Sequence, residues 1–243
     1  MKLKYLKTIT DKVVDLVYPS SCVICDKILN KKELRICETC RAKVSYVSEP
    51  TCFKCGKEIN NEEEEYCADC MENARSYICG FPAINYEEPF KGAITSFKYK
   101  NNRDNAVFFA DQITKSRGAD IKEIEPDVLI PVPVHKSKKK TRGYNQAELI
   151  AKELGKKLNI PVDTNILCRV SNTSPQKNLD PKARETNLYK AFEVSDTYTR
   201  YTKVLLVDDI YTTGATIEAC TKVLMEKGIK NVYYTSVCIG KGY

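Results

Sequence analysis

The sequence predicts an α/β fold, a mostly parallel sheet with helices on both faces, preceded by a small cysteine-rich module. Three observations carry this reading. Eight cysteines fall in four C-x-x-C pairs between residues 22 and 70. Beyond Gly80, apolar runs of strand length alternate with amphipathic runs of helix length. One apolar run, within "VLLVDDIYTTGAT" at 204–216, ends in two adjacent acids and a Thr/Gly turn.

The chain opens with "MKLKYLKTITDKVVDLVYPS". Leu6, Ile9, Val13, Leu16 and Val17 fall at helical spacing, which predicts a short amphipathic helix over 1–20, stopped at Pro19. Such a stripe packs on the rest of the protein, though a membrane-surface helix uses the same pattern. Lys7, Asp11, Lys12 and Asp15 interrupt the apolar stretch that a signal peptide needs. No apolar run approaches the ~20 residues of a membrane span. A cytoplasmic location is expected.

The cysteine pairs are "CVIC", "CETC", "CFKC" and "CADC", starting at 22, 37, 52 and 67, one every 15 residues. A C-x-x-C turn points two thiolates at one metal, and two such turns complete a tetrahedral site. Cys22, Cys25, Cys37, Cys40, Cys52, Cys55, Cys67 and Cys70 therefore read as ligands of two structural Zn²⁺, in a double zinc ribbon. Pairing neighbouring turns is simplest; a crossed arrangement satisfies the same spacing. Disulfides need an oxidising compartment. A redox dithiol occurs once beside a βαβ pattern, not four times in register. The formal charge of +7 invites a nucleic-acid reading, but eight thiolates and two Zn²⁺ would reduce it to about +3. "NNEEEEY" at 60–66 reads as a solvated hairpin tip. Cys79, Cys168, Cys220 and Cys238 read as buried small apolar residues, and His135 is assigned no ligand role.

Next, "YICGFPAINY" predicts a strand, "EPFKGAITSFKYK" a helix with a basic end, and "DNAVFFADQITKS" at 104–116 a second helix. "DVLIPVPV" at 127–134 predicts a buried strand ended by prolines, and "KSKKKTR" after it a basic loop. In "GYNQAELIAKELGKKL" at 143–158, Ala147, Ile150, Ala151, Leu154 and Leu158 share one helical face. "KVLLVDDI" is a buried strand, "GATIEACTKVLMEKG" a helix stopped at Gly228, and "NVYYTSVCIG" a last strand. Continuous apolar strands alternating with helices imply a parallel sheet covered on both faces.

In such sheets ligands bind beyond the carboxyl ends of the strands. Asp208 and Asp209 stand there, and "YTTGAT" then enters a helix whose first N–H groups lack partners and whose dipole favours an anion. Gly214 allows close approach, and Thr212, Thr213 and Thr216 add hydroxyl donors. The turn suits a phosphate, and the carboxylates suit hydroxyls or a cation beside it. A phosphorylated ribose has both. Neither a G-K-[ST] loop nor G-x-G-x-x-G occurs.

The stretch 204–216 resembles the phosphoribosyl pyrophosphate (PRPP) motif of type I phosphoribosyltransferases. With the cysteine register and "PVPVHKSKKKTRGYNQAELIA", the chain from about Pro19 onward resembles the ComF family. That family joins a double zinc ribbon to a phosphoribosyltransferase domain and is linked to competence for DNA uptake. The resemblance implies boundaries at 1–20 for the helix, 21–78 for the ribbons and 79–243 for a phosphoribosyltransferase-like domain. It implies that Asp208 and Asp209 meet the ribose hydroxyls, directly or through Mg²⁺-bound water, and that Thr212, Thr213, Gly214, Ala215 and Thr216 hold the 5′-phosphate. Lys138, Lys140 and Arg142 would face the pyrophosphate. The family usually carries arginine near 138 and 140; lysine keeps the charge but loses the bidentate fork. Thr173, Gln176, Leu179, Arg184 and Asn187 match a family loop that reads as a lid, and "FKYK" at 97–100 matches too. Asp208, Asp209, Arg142 and Arg184 are the candidate catalytic residues.

Three functions follow from the resemblance. One is an enzyme transferring phosphoribosyl from Mg²⁺-PRPP with release of pyrophosphate. The second is a PRPP-binding adaptor without turnover. The third handles single-stranded DNA through basic loops, with the ribbons docking a partner such as a competence helicase.

Overall fold

The structure, a computed structural model, describes residues 20–29, 35–171, 188–195 and 201–240. The amphipathic stripe of residues 6–17 and the loop residues Thr173, Gln176, Leu179, Arg184 and Asn187 lie outside the described residues.

Two short helices, α1 (Glu38–Arg41) and α2 (Ala68–Glu72), belong to the cysteine-rich segment. Then come β1 (Gly80–Asn85), α3 (Phe90–Tyr99), α4 (Asn105–Glu123), β2 (Val128–Pro131), α5 (Lys136–Arg142) and α6 (Gln146–Leu158). A short pair follows, β3 (Leu167–Arg169) and β4 (Phe192–Val194), and finally β5 (Lys203–Tyr211), α7 (Ala215–Glu226) and β6 (Asn231–Ile239). The main sheet is parallel throughout, in the order β1-β6-β5-β2. A parallel bridge from Leu129 to Val162 continues it beyond β2.

The apolar strands are continuous because both faces are covered. Along β5, Leu205 and Val207 join a core with α3, α4 and α6, while Val204 and Leu206 join a second core with α7, β3 and β4. This is the two-residue period of a strand read on two faces. Ribbon residues belong to both cores. Cys22, Val23, Ile36 and Cys40 pack in the first, and Cys52, Cys55, Cys67 and Tyr77 in the second. Between the ribbons, the Val47 and Asn85 amides bond the Ala83 and Ser45 carbonyls at 3.1 and 2.8 Å, which covers the free edge of β1.

Among the described residues the predicted strands and helices recur, with four differences. The "KSKKKTR" stretch is the helix α5, not a loop. His135 accepts from the Ser137 amide at its start, and Gly143 at φ 80° closes it. Helix α4 runs on to Glu123 because Ile121 extends its buried stripe of Ala106, Phe109 and Ile113. The β3–β4 pair was not anticipated; three residues per strand are too few to show a period. Cys168 is exposed rather than buried, since it alternates outward next to the buried Leu167, and Cys79 is only partly buried.

Candidate functional site

Two constellations stand out. The first is metal-binding. The thiols of Cys22, Cys25, Cys37 and Cys40 lie within 4.8 Å of one another, as do those of Cys52, Cys55, Cys67 and Cys70. The neighbouring pairing is therefore the one that forms. Cys25 and Cys37 sulfurs are 3.8 Å apart, and Cys55 and Cys67 sulfurs 3.6 Å. A tetrahedron with Zn–S bonds of ~2.3 Å has edges of ~3.8 Å, so the clusters fit structural Zn²⁺. Four sulfurs leave no open coordination position.

The 15-residue register becomes a 30-residue repeat of two unlike halves. The first pair of each ribbon sits on a tight turn closed by a left-handed residue, Asp26 at φ 58° and Gly56 at φ 66°. Antiparallel bridges Ser21–Ile28 and Thr51–Glu58 flank the turns. The second pair of each ribbon sits on a helical turn, with Cys37 and Cys67 at the N-caps of α1 and α2. The Cys40 backbone amide is the main cause that draws the Cys37 thiol down to about 7, toward the thiolate a metal needs.

The second constellation lies at the carboxyl end of β5. Asp209 is 9% exposed, and its Oδ1 meets Lys98 Nζ of α3 at 3.1 Å. The Asp209 amide donates to Asp208 Oδ1 at 2.8 Å. Burial first, and then the charge of Asp209, push the Asp208 carboxyl up to about 8, while Lys98 and Arg169 pull the other way. The two adjacent carboxyls, Asp209 buried and Asp208 partly so, repel each other and favour a positive partner.

Cations gather from two further elements, α5 and β3. Lys138, exposed as a residue, has its ammonium lowered below the ordinary lysine range by desolvation, then by Arg169, Arg142 and Lys98. Arg169 of β3 lies over the Phe192 ring, 5.2 Å from its centroid, and feels the negative charge of Asp208. Arg142 lies over Tyr99 at 5.1 Å and donates to Gln146 Oε1 at 3.2 Å. Because α5 is a helix, Lys138 and Arg142 share a face, and Lys140 stands about 200° round from Lys138. Lys139 turns to Glu148 at 3.2 Å. Lys138 thus shares two charged neighbours with the acidic pair, Lys98 and Arg169, and Arg142 stands next to Lys138, while Lys140 is exposed on another face of the helix.

The Thr/Gly turn follows directly. Thr212 and Thr213 are exposed, and Ala215 and Thr216 are half-buried. Gly214 has φ 74°, and a Cβ there would collide with the Tyr211 hydroxyl, so both backbone and space demand glycine. The first intrahelical bond of α7 runs from the Glu218 amide to the Gly214 carbonyl at 2.9 Å. The amides of Gly214 to Ile217 thus have no intrahelical acceptor, which is the donor set an anion uses.

Sequence reasoning missed Arg169, Lys98 as the partner of Asp209, and Arg75, whose Nη2 donates to the Thr213 carbonyl at 2.7 Å. The family match of "FKYK" at 97–100 gives Lys98 no role by itself. For Arg75 and Arg169 the sequence carries no signal, since their partners are 138 and about 40 residues away.

Residues 13–71 match the double zinc ribbon domain family. Competence protein F of Haemophilus influenzae is 34% identical over 154 residues, covering 61% of this chain and 67% of that protein. Competence protein ComFC of Bacillus subtilis is 29% identical, covering 59% of this chain and 56% of that protein. The DNA utilization protein YhgH of Escherichia coli is 28% identical, covering 46% and 49%. The matches thus span about half to two thirds of these relatives. A solved orotate phosphoribosyltransferase from Aeropyrum pernix aligns over 65% of this chain and 79% of its own at 15% identity, with a TM-score of 0.31. On the match to Competence protein F, supported by the two ribbons, the chain belongs to the ComF family.

Proposed function

We propose that this chain binds PRPP with Mg²⁺ at the β5–α7 turn and acts, in the cytoplasm, as a phosphoribosyltransferase serving DNA uptake. The observation that carries the reading is a carboxylate pair, Asp209 buried and Asp208 half-buried, running into the Gly214 turn with cations of α3, α5 and β3 around it. Phosphate ester, ribose hydroxyls and pyrophosphate each find a fitting group within that set. The names of the relatives, competence proteins and DNA utilization proteins, support the cellular role.

In this reading the free amides and hydroxyls of Thr212 to Thr216 hold the 5′-phosphate. Asp208 and Asp209 take the ribose hydroxyls, and the two carboxylates suit a Mg²⁺ that keeps waters and substrate oxygens. Mg²⁺ supplies charge neutralisation of the leaving pyrophosphate. Lys138, Arg142 and Arg169 hold that group from the other side, with Lys140, Gln176 and Arg184 as additional candidates. Transfer breaks the bond from ribose C1 to pyrophosphate as the acceptor bonds to C1, so positioning and electrostatics do the work.

A second role, on single-stranded DNA, is favoured by one observation. Tyr99 is 68% exposed with Arg142 stacked on it, a platform suited to a nucleobase.

Titration calorimetry with Mg²⁺-PRPP, ribose 5-phosphate and a poly-dT strand tests both. Asp208→Asn with Asp209→Asn should abolish PRPP binding. Arg142→Ala should weaken PRPP about tenfold or more yet leave ribose 5-phosphate nearly unchanged, and Arg142→Lys should not restore the loss. If Arg142→Ala abolishes DNA binding while PRPP binds normally, the DNA role leads. PRPP binding by the Asp208/Asp209 double variant as tight as wild type would sink the reading.

A further inference from the structure

The second ribbon is wired to the Thr/Gly turn through two chains of contacts. The first begins at Asp69, between the ligands Cys67 and Cys70. Asp69 Oδ2 pairs with Arg75 Nη2 at 3.2 Å, and the same nitrogen donates to the Thr213 carbonyl at 2.7 Å. The Arg75 side chain is only 6% exposed, and its Nε is buried without a partner among the described residues. A buried donor left unmade is costly, so this guanidinium is held by what its other end does. In a trans peptide the C=O and the following N–H point opposite ways. Fixing the Thr213 carbonyl toward Arg75 therefore aims the Gly214 N–H away from the ribbon.

The second chain begins at the ligand Cys55. Tyr234 Oη donates to the Cys55 carbonyl at 2.7 Å, the Tyr234 ring stacks on Tyr211 at 4.8 Å, and Tyr211 shares a 2.8 Å hydroxyl contact with Tyr77. Tyr211 is the residue that closes over Gly214. Ser76, between Arg75 and Tyr77, donates through N and Oγ to the Glu218 carboxylate at 2.7 and 2.6 Å. Glu218 sits 1% exposed in the first turn of α7. Among the described residues, the first ribbon instead reaches α4, through Arg35 to the Asp104 carbonyl at 3.1 Å.

We infer that the second zinc ribbon is a built-in part of the ligand turn, with Arg75 as its positioning residue, so that metal occupancy of the Cys52–Cys55–Cys67–Cys70 site is coupled to phosphate-ester binding at 212–216. The inference rests on the PRPP reading for its ligand. Coupling between two sites is reciprocal: if the metal stabilises the turn that binds the ligand, the ligand retains the metal by the same factor. The first ribbon is the internal control.

The test uses the full zinc-loaded chain. Hydrogen exchange read by mass spectrometry should be faster across 211–218 in Arg75→Ala and unchanged across 128–131. Arg75→Lys, which keeps the charge with one donor group, should fall between. Arg75→Ala should weaken Mg²⁺-PRPP binding about tenfold, the scale of one lost charged hydrogen bond. Under a competing chelator, Mg²⁺-PRPP should protect Cys52, Cys55, Cys67 and Cys70 from alkylation and leave Cys22, Cys25, Cys37 and Cys40 as they were. Unchanged exchange at 211–218 in both Arg75 variants, or equal protection of the two ribbons, would overturn the coupling. If the wild type binds no PRPP, the functional reading fails by itself, and the exchange measurement still decides whether the ribbon sets the turn.

Discussion

At the scale of single residues, Asp208 shows how a site records its purpose in an unfavourable group. Its carboxyl is held at about 8, chiefly by burial and then by Asp209. A free aspartate titrates near ~3.9. The folded state thus keeps a proton that the unfolded state has lost. The stability this confers is full below the unfolded value and is lost as pH rises through the folded one. Asp208→Asn removes the group from this balance. The melting temperature of the variant without Mg²⁺, minus that of the wild type, should therefore rise from pH 5.5 and level off near pH 8. A flat difference across that window would mean the carboxyl titrates normally. Of the two acids, Asp209 is the one that pairs with Lys98, at 3.1 Å. The "VDD" signature announced two acids, but only packing made them unequal.

At the scale of elements, α5 and α6 decide which basic residues face the cleft. Asn145 caps α6, accepting from the Ala147 amide at 3.2 Å and donating to the Val132 carbonyl at 3.0 Å. It ties the helix start to the end of β2, where the Val132 amide also meets the Val207 carbonyl at 2.9 Å. Asn145→Ala should cost about 1–2 kcal/mol in urea denaturation. Asn145→Asp, which keeps the cap acceptor and loses the donor, should cost less than Asn145→Ala at neutral pH. Equal losses would show that the bond to β2, not the cap, carries the effect. The "GYNQAELIA" run made α6 legible because its apolar face repeats at helical spacing. "KSKKKTR" has no apolar face, so nothing in it separates a helix from a solvated loop. Its helicity comes from the His135 cap and Gly143 stop.

At the scale of the whole molecule, the ribbons are not a detachable module. The first contributes Cys22 and Cys40 to the core with α3 and α4, and the second contributes Cys52 and Cys55 to the core with α7. Metal analysis should give two zincs per chain. Stripping them should lower the melting temperature of the whole chain, because both cores lose a wall and zinc binding is folding energy for such segments. Calorimetry that shows an unshifted main transition after full chelation would refute this.

The sequence by itself determined what is local. Four C-x-x-C turns, a parallel sheet of apolar strands, the acids and glycine of 208–214, and the stop at Gly228 all rest on short spacing and residue chemistry. Tertiary structure decided what needs distant residues to meet. It paired the cysteines as neighbours, turned a 15-residue register into unlike halves, and brought Lys98, Arg169 and Arg75 to one turn. The physical reason is range. Helical and strand periods and chelate spacing act over a few residues, whereas burial, charge coupling and carbonyl anchoring depend on neighbours that only the folded chain supplies.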